Sequence, residues 1–243
     1  MNARQVVVLV TDNNYFKHTE SLIGSLRSVG GYGDDIVVLV AEDVTLYNIK
    51  RLMDRGISHK VVRGKTHYLK MNIFSHLLKR WQKVLYFDAD FIIHSEIQPL
   101  FDQIIDDLLY VDFEPFKIRE YLSNKESYHY RELEKSFDLD KLGFNAGFVA
   151  FNTRLAGQNV YDELVALQHR YKTINHHTES GGGDQPLVNI KFHSVAKQIE
   201  GVGFIASHSD GNRIASHCTR WHAPWDHHQE YYKNGLEVFE RLV

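Results

Sequence analysis

Residues 84–94 read VLYFDADFIIH, an apolar run that leads directly into two aspartates one residue apart. KVLYF (83–87) has the length and the apolar, aromatic character of a buried strand. Carboxylates at i and i+2 repel each other in a low-dielectric cleft unless a cation or several donors compensate them. A divalent metal does this directly, and hard oxygen ligands suit magnesium, calcium or manganese. The plain alternative is an acidic turn whose aspartates cap the next segment. For an isolated D-x-D that alternative is the better reading; an apolar strand immediately before it brings the two level.

Working outward, QVVVLV (5–10) reads as a buried strand ending in TDNN, and FKHTESLIGSLRS (16–28) carries Leu22, Ile23 and Leu26 at helical spacing. GGYGDD (30–35) is a loop, IVVLV (36–40) a second strand, LYNIKRLMDRG (46–56) a helix stopped by Gly56, and HKVV (59–62) a third strand. YLKMNIFSHLLKRW (68–81) is expected to be an amphipathic helix before the fourth strand at 83–87. This alternation argues for an α/β fold with a mixed, mostly parallel sheet covered by helices on both faces. Ligands in such sheets bind beyond the carboxyl ends of the strands, which is where Asp88 and Asp90 lie. The second half is less regular. DLLYVDF (107–113) contains a strand, and 114–141 is charged, aromatic, and helical or irregular. GFVAFN (147–152) is a strand, 155–171 a helix, SGGGDQPLVNI (180–190) a glycine-rich loop entering a helix, VGFIAS (202–207) a last strand, and QEYYKN part of a polar tail. With no repeat, low-complexity tract or obvious linker, one domain over 1–243 is the simplest reading.

A chain of 243 residues can bury a sizeable core, and 43% hydrophobic with 24% charged residues is ordinary for a soluble globular protein. The net charge of −3, without a basic run, gives no reason to expect nucleic acid. Cys218 is the only cysteine, so no intramolecular disulfide is possible, which suits a reducing compartment. The N-terminal apolar core, Val6 to Val10, is too short for a signal peptide. No segment approaches the roughly 18 apolar residues of a membrane span. A cytoplasmic protein is expected.

Three further motifs bear on chemistry. In SHCTRWHAPW (216–225), His217 can add an imidazole to an oxygen-rich site, which favours manganese over magnesium. With fifteen histidines in the chain, a packing role competes, and His208 and His222 are rival ligands. In GFNAGFVAFN (143–152), Asn145 precedes a small Ala-Gly pair that lets a ligand approach the backbone, and an amide binds sugar hydroxyls both ways; a tight turn is the plainer reading. In GGGDQPLVN (181–189), Asp184 and Gln185 place a carboxylate and an amide at a helix start, where Asp184 also serves simply as an N-cap.

Taken in order, strand-DAD, F-N-x-G, G-D-Q-x-x-x-N and H-x(6)-P-W resemble the glycogenin-type family of retaining glycosyltransferases, with galactinol synthases and bacterial lipopolysaccharide sugar transferases. The resemblance runs from about residue 5 to residue 225. It implies a single GT-A-type domain that binds a nucleotide-sugar and a divalent metal, usually manganese, with magnesium as the substitute. Asp88 and Asp90 match the metal-binding pair, Asp90 the first choice for direct ligation and Asp88 for metal, ribose or both, and His217 matches the third ligand. Thr11, Asn13 and Tyr15 match the uridine-binding strand end, with Tyr15 stacking on the base, and Lys70 matches a donor-contacting lysine. Asn145, Asp184 and Gln185 match residues around the donor sugar and reaction centre. The family's end motif carries a glycine and a diphosphate-contacting lysine where this chain has Arg220 and Ala223, leaving Arg220 or His222 to replace the lysine. The 114–141 segment lies where such proteins shape the acceptor side.

The implied reaction moves a hexose from a nucleotide-sugar, a UDP-sugar by resemblance, to a hydroxyl on a glycan, protein or small molecule. A homodimer is left open. Three rivals are weighed. A sugar-phosphate nucleotidyltransferase usually shows a glycine- and arginine-rich loop after the first strand, unlike TDNNYF; a D-x-D phosphohydrolase carries its motif at the first strand; a non-catalytic sugar-nucleotide binder would keep the fold and lose turnover. Self-glucosylation at Tyr231 or Tyr232 has no support among thirteen tyrosines.

Overall fold

Strands and helices alternate through the first third of the chain as the apolar spacing predicts. The computed structural model describes residues 4–63, 66–157, 159–172, 174, 183–204, 213–218 and 223–242. The run begins β1 (Gln5–Thr11), α1 (Phe16–Ser28), β2 (Asp35–Ala41), α2 (Leu46–Asp54), β3 (Ser58–Val62) and β4 (Lys83–Phe87). Val7, Val38 and Leu85 are fully buried, as strands covered on both faces require. Gly56 turns the chain from α2 into β3 with φ +65°, a left-handed conformation that glycine adopts without penalty.

The helix expected over 68–81 is instead two 3₁₀ segments, Thr66–Phe74 and His76–Leu78. Leu69, Met71, Ile73 and Phe74 are all buried, so apolar residues surround the axis rather than forming one stripe. Asn72 Nδ2 donates to the Leu69 carbonyl at 2.9 Å and Ser75 Oγ to the Asn72 carbonyl at 2.6 Å. Such side-chain bonds compete with a regular α-helical ladder.

The chain continues through β5 (Phe91–Ile93), α3 (Gln98–Asp102), β6 (Leu109–Val111), β7 (Phe113–Lys117), α4 (Tyr128–Ser136), β8 (Leu142–Phe144) and β9 (Phe148–Asn152). Then come α5 (Thr153–Ala156), α6 (Val160–Arg170), α7 (Gln185–Phe192), β10 (Ala196–Gln198), β11 (Val202–Phe204), β12 (Ala215–His217), α8 (Pro224–His227) and α9 (Gln229–Arg241). The helix expected over 155–171 is thus divided. Gly157, at φ +53°, breaks it between α5 and α6. Nor is β11 the last strand, since β12 pairs beside it.

Among the described residues the main sheet has seven strands in the order β10-β6-β9-β4-β1-β2-β3. All neighbours are parallel except β9, which runs antiparallel to both β4 and β6. A second sheet orders β11-β12-β5, and β7 pairs with β8. The segment after β7 builds a small core of its own, with Ile118, Leu122, Tyr130 and Leu133 against Ile190 of α7. The tail read as polar is α9, which lies on α1 so closely that a Cβ at Gly24 would fall 1.8 Å from the Gly235 carbonyl oxygen. No helix among the described residues is long and apolar enough to cross a membrane.

Candidate active site

The site forms where β1 and β4 end. Asp88-Ala89-Asp90 joins β4, in the main sheet, to β5, in the second. Pairing then brings in partners remote in sequence. The β4–β9 register sets Phe87 opposite Phe148, and the Asp88 N–H donates to the Gly147 carbonyl at 2.7 Å. The β5–β12 register sets Phe91 opposite His217, and the Cys218 N–H donates to the Asp90 carbonyl at 2.9 Å. The His217 ring stacks on Phe91 with centroids 4.9 Å apart.

Asp88, Asp90 and His217 offer ligand atoms that all lie within 4.8 Å of one another. That spacing leaves room for one ion among the three, and an imidazole beside two carboxylates favours a transition metal such as manganese over magnesium. Asp90 Oδ1 is buried and stands 3.2 Å from His217 Nε2. Burial disfavours a charged His217, but Asp90 and then Asp88 outweigh it and raise the imidazole pKa. The two aspartates thus favour positive charge at this point.

Behind the aspartates lies a second charge balance. Lys70 Nζ stands 3.0 Å from Asp88 Oδ2 and 3.1 Å from Asp184 Oδ2. Burial opposes the ammonium, yet Asp184 and Asp88 together raise its pKa above the ordinary lysine value. Burial pushes the Asp184 carboxyl up to about 6, against the pull of Lys70. Asp184 occupies the N-cap position of α7 but makes no side-chain cap, so the plainer reading of that residue fails. Tyr86 donates its hydroxyl to Asp88 Oδ1, and burial followed by Asp88 holds the phenol well above its usual pKa.

Thr11, Tyr15, Lys70, Asp88, Asp90 and Asp184 line one cleft. Asn13 does not line it; its side chain accepts from Asn48 Nδ2 at 3.1 Å. Tyr15 is 47% exposed at the cleft mouth, edge-on to Trp225, which stacks on His18 at 3.7 Å. Asn145 and Gln185 come together through a residue absent from the sequence reading's site. Glu114, only 6% exposed, accepts Asn145 Nδ2 at 3.1 Å, Gln185 Nε2 at 3.0 Å and the Tyr121 hydroxyl. Asn189 ties the end of β8 to the start of α7: its Oδ1 accepts the Phe144 N–H and its Nδ2 donates to the Phe144 and Gln185 carbonyls, each at 2.9 Å. Asp12 also escaped the sequence reading. Its Oδ1 accepts the N–H groups of Asn14 and Tyr15 at 3.0 Å, shaping the turn after β1. The TDNN cluster carries that signal; nothing local marks Glu114. Arg220, His208 and His222 lie outside the described residues.

A mostly parallel sheet whose central strand ends in an Asp-x-Asp pair opposite a histidine from a second sheet defines a GT-A fold. LgtC, a galactosyltransferase solved with donor and acceptor sugar analogues, is similar at a TM-score of 0.69 and 16% identity, over 98% of this chain and 96% of that one. The bifunctional glycosyltransferase WbbM is similar at 0.66 and 16%, over 100% of this chain and 50% of that one. GlyE of Streptococcus pneumoniae TIGR4 is similar at 0.65 and 17%, over 98% and 63%. No curated protein sequence matches the chain. The profile of glycosyl transferase family 8 matches residues 7–202, and the chain belongs to that family. It is a glycosyltransferase.

Proposed function

We propose that the protein moves a hexose from a nucleoside-diphosphate sugar, a UDP-hexose, to an acceptor hydroxyl with retention, in a reaction that requires manganese or magnesium. The observation that carries this is the Asp88–Asp90–His217 cluster, whose two aspartates line a cleft together with Thr11, Tyr15, Lys70 and Asp184. Asp88, Asp90 and His217 would hold a divalent ion, which would offset charge building on the departing diphosphate. Thr11 and Tyr15 take the base and Lys70 the donor phosphates, and Arg220 or His222, both outside the described residues, stands in for the family's diphosphate lysine. Asn145, Asp184 and Gln185 surround the sugar. Retention through a covalent sugar needs a free carboxylate nucleophile. Asp184 is ion-paired to Lys70 instead. That favours a front-face route in which the leaving phosphate takes the acceptor's proton. The whole chain serves as one catalytic unit, with the segment about 114–141 on the acceptor side. A cytoplasmic site of action suits its lone, buried Cys218.

The test is UDP release from a panel of UDP-sugars with MnCl₂ and then with EDTA, for the wild type and Asp90→Asn. The expected result is manganese-dependent release from one donor, lowered about 100-fold in the folded variant. Near-normal turnover of Asp90→Asn, or of the wild type in EDTA, would sink the metal role. UDP–manganese binding without turnover of any donor would favour a non-catalytic binder.

A further inference from the structure

Three donors converge on the Glu114 carboxylate: the Asn145 amide, the Gln185 amide and the Tyr121 hydroxyl. A carboxylate only accepts, so each amide must turn its nitrogen toward Glu114. Asn145 is then fully committed, because its Oδ1 also accepts the Gly147 N–H at 2.6 Å. Gln185 is not: its Nε2 is fixed on Glu114, and its Oε1 is left on the opposite side of the amide. Tyr121 stays a donor, since burial and then Glu114 raise its pKa. Its ring also packs on the backbone at Gly143, where an added Cβ would fall 2.2 Å from Cε2. Tyr121 belongs to the segment after β7 whose small core packs on α7, and Gly143 lies two residues before Asn145.

We propose that Glu114 is a positioning residue for glycosyl transfer: it sets the amide of Gln185 so that the carbonyl oxygen, not the nitrogen, is presented to the donor sugar, and through Tyr121 it ties that setting to the segment after β7. This rests on the proposed function. An electron-rich oxygen beside the anomeric carbon stabilises positive charge developing on the sugar, whereas an amide N–H there opposes it. The carboxylate itself touches no reacting atom.

Glu114→Gln tests this with almost no change in shape. The new amide nitrogen cannot face Asn145, which Gly147 holds in place. It therefore faces Gln185, whose amide inverts to accept it. The probe is UDP-glucose or UDP-galactose with MnCl₂, read as UDP release, with a thermal melt of each variant. Glu114→Gln is expected to keep its melting temperature and its KM for the donor within twofold while kcat falls roughly 10–100-fold. The double variant Glu114→Gln with Gln185→Glu restores an acceptor opposite the new amide and keeps an oxygen toward the sugar. It is expected to recover kcat above either single variant. A Glu114→Gln kcat within twofold of wild type overturns the positioning role and leaves the proposed function standing. So does a double variant no better than the singles. Should Glu114→Gln fail to fold, Glu114→Asp carries the test, since it keeps the charge but draws the carboxylate back from Gln185; a wild-type kcat there overturns the role equally. A wild type that releases UDP from neither sugar overturns the proposed function and this inference with it.

Discussion

Gly147→Ala should break the metal site without breaking the fold. A Cβ at Gly147 would lie 2.7 Å from Asn145 Oδ1, 3.0 Å from Asp88 Oδ2 and 3.1 Å from His217 Nε2. Gly147 is not among the glycines at positive φ, so alanine suits its backbone and the effect is steric alone. None of the three neighbours can swing away freely. Asn145 is held between the Gly147 N–H and Glu114. Asp88 is held by Tyr86 and Lys70, and His217 by its strand register and its stack on Phe91. A carbon and an oxygen prefer well over 3 Å, so at least one of the three must retreat by several tenths of an ångström. Overpacking of this kind costs about 1–3 kcal/mol. If two ligands of the cluster take that displacement, manganese binding weakens by roughly 10–100-fold. The assay is manganese affinity by electron paramagnetic resonance of the free ion, with circular dichroism and a thermal melt as the check on folding. Wild-type manganese affinity in Gly147→Ala, with an unchanged melt, would refute the placement of the ligand set around this glycine.

Asp184→Asn should change how stability depends on pH in EDTA. A folded carboxyl at about 6, against an ordinary 3.8, binds its proton more tightly folded than unfolded. Its contribution is fully present below about pH 3.8 and is lost as pH rises to about 6, a swing of roughly 3 kcal/mol. The asparagine variant should gain on the wild type by that amount in urea melts between pH 3.5 and 7; a constant difference would show that the carboxyl titrates normally. Gly24→Ala should separate α1 from α9, because its Cβ would meet Gly235 O at 1.8 Å. The expected cost is about 3 kcal/mol, or roughly 6–12 °C in melting temperature. Gly33→Ala, with nothing within 4 Å, is the control and should melt as the wild type does.

Much of the fold was legible because its signals are local. β1, β2 and β4 are apolar runs bounded by turn residues, and each is found where its run lies; β3, SHKVV at the sheet edge with only Val62 buried, is found at 58–62 as well. Errors fell where non-local burial or side-chain bonds overrule periodicity. The 66–78 segment has helical spacing, yet it is buried on several sides and its carbonyls are taken by Asn72 and Ser75. At Gly157 a single left-handed residue divides what reads as one helix. α9 was missed as a helix because six of its residues, QEYYKN, dominate the reading; its apolar face, with Phe239 buried, comes later in the segment.

The candidate site divides along the same line. Asp88 and Asp90 declare themselves, because two charges at a strand end demand compensation whatever surrounds them. Glu114 does not, because nothing in FEPFK distinguishes a buried hub from a surface carboxylate until β8 and α7 bring Asn145 and Gln185 to it. The C-terminal helix is the extreme case. Tyr232 offers its hydroxyl to His18 at 3.0 Å, His18 stacks on Trp225, and Trp225 stands edge-on to Tyr15 at the cleft mouth. That chain of contacts joins residue 232 to residue 15 across nearly the whole sequence. It is set by a glycine-to-glycine approach between α1 and α9, which no motif spacing encodes. The tyrosine-rich tail therefore reaches the cleft-lining Tyr15 through His18 and Trp225. Tyr231 is held inside the fold: its hydroxyl accepts the Ile93 N–H at 2.9 Å, and burial pushes its pKa up to about 12. A tyrosine so placed is a structural strut, and self-glucosylation there would require α9 to leave the surface that holds it.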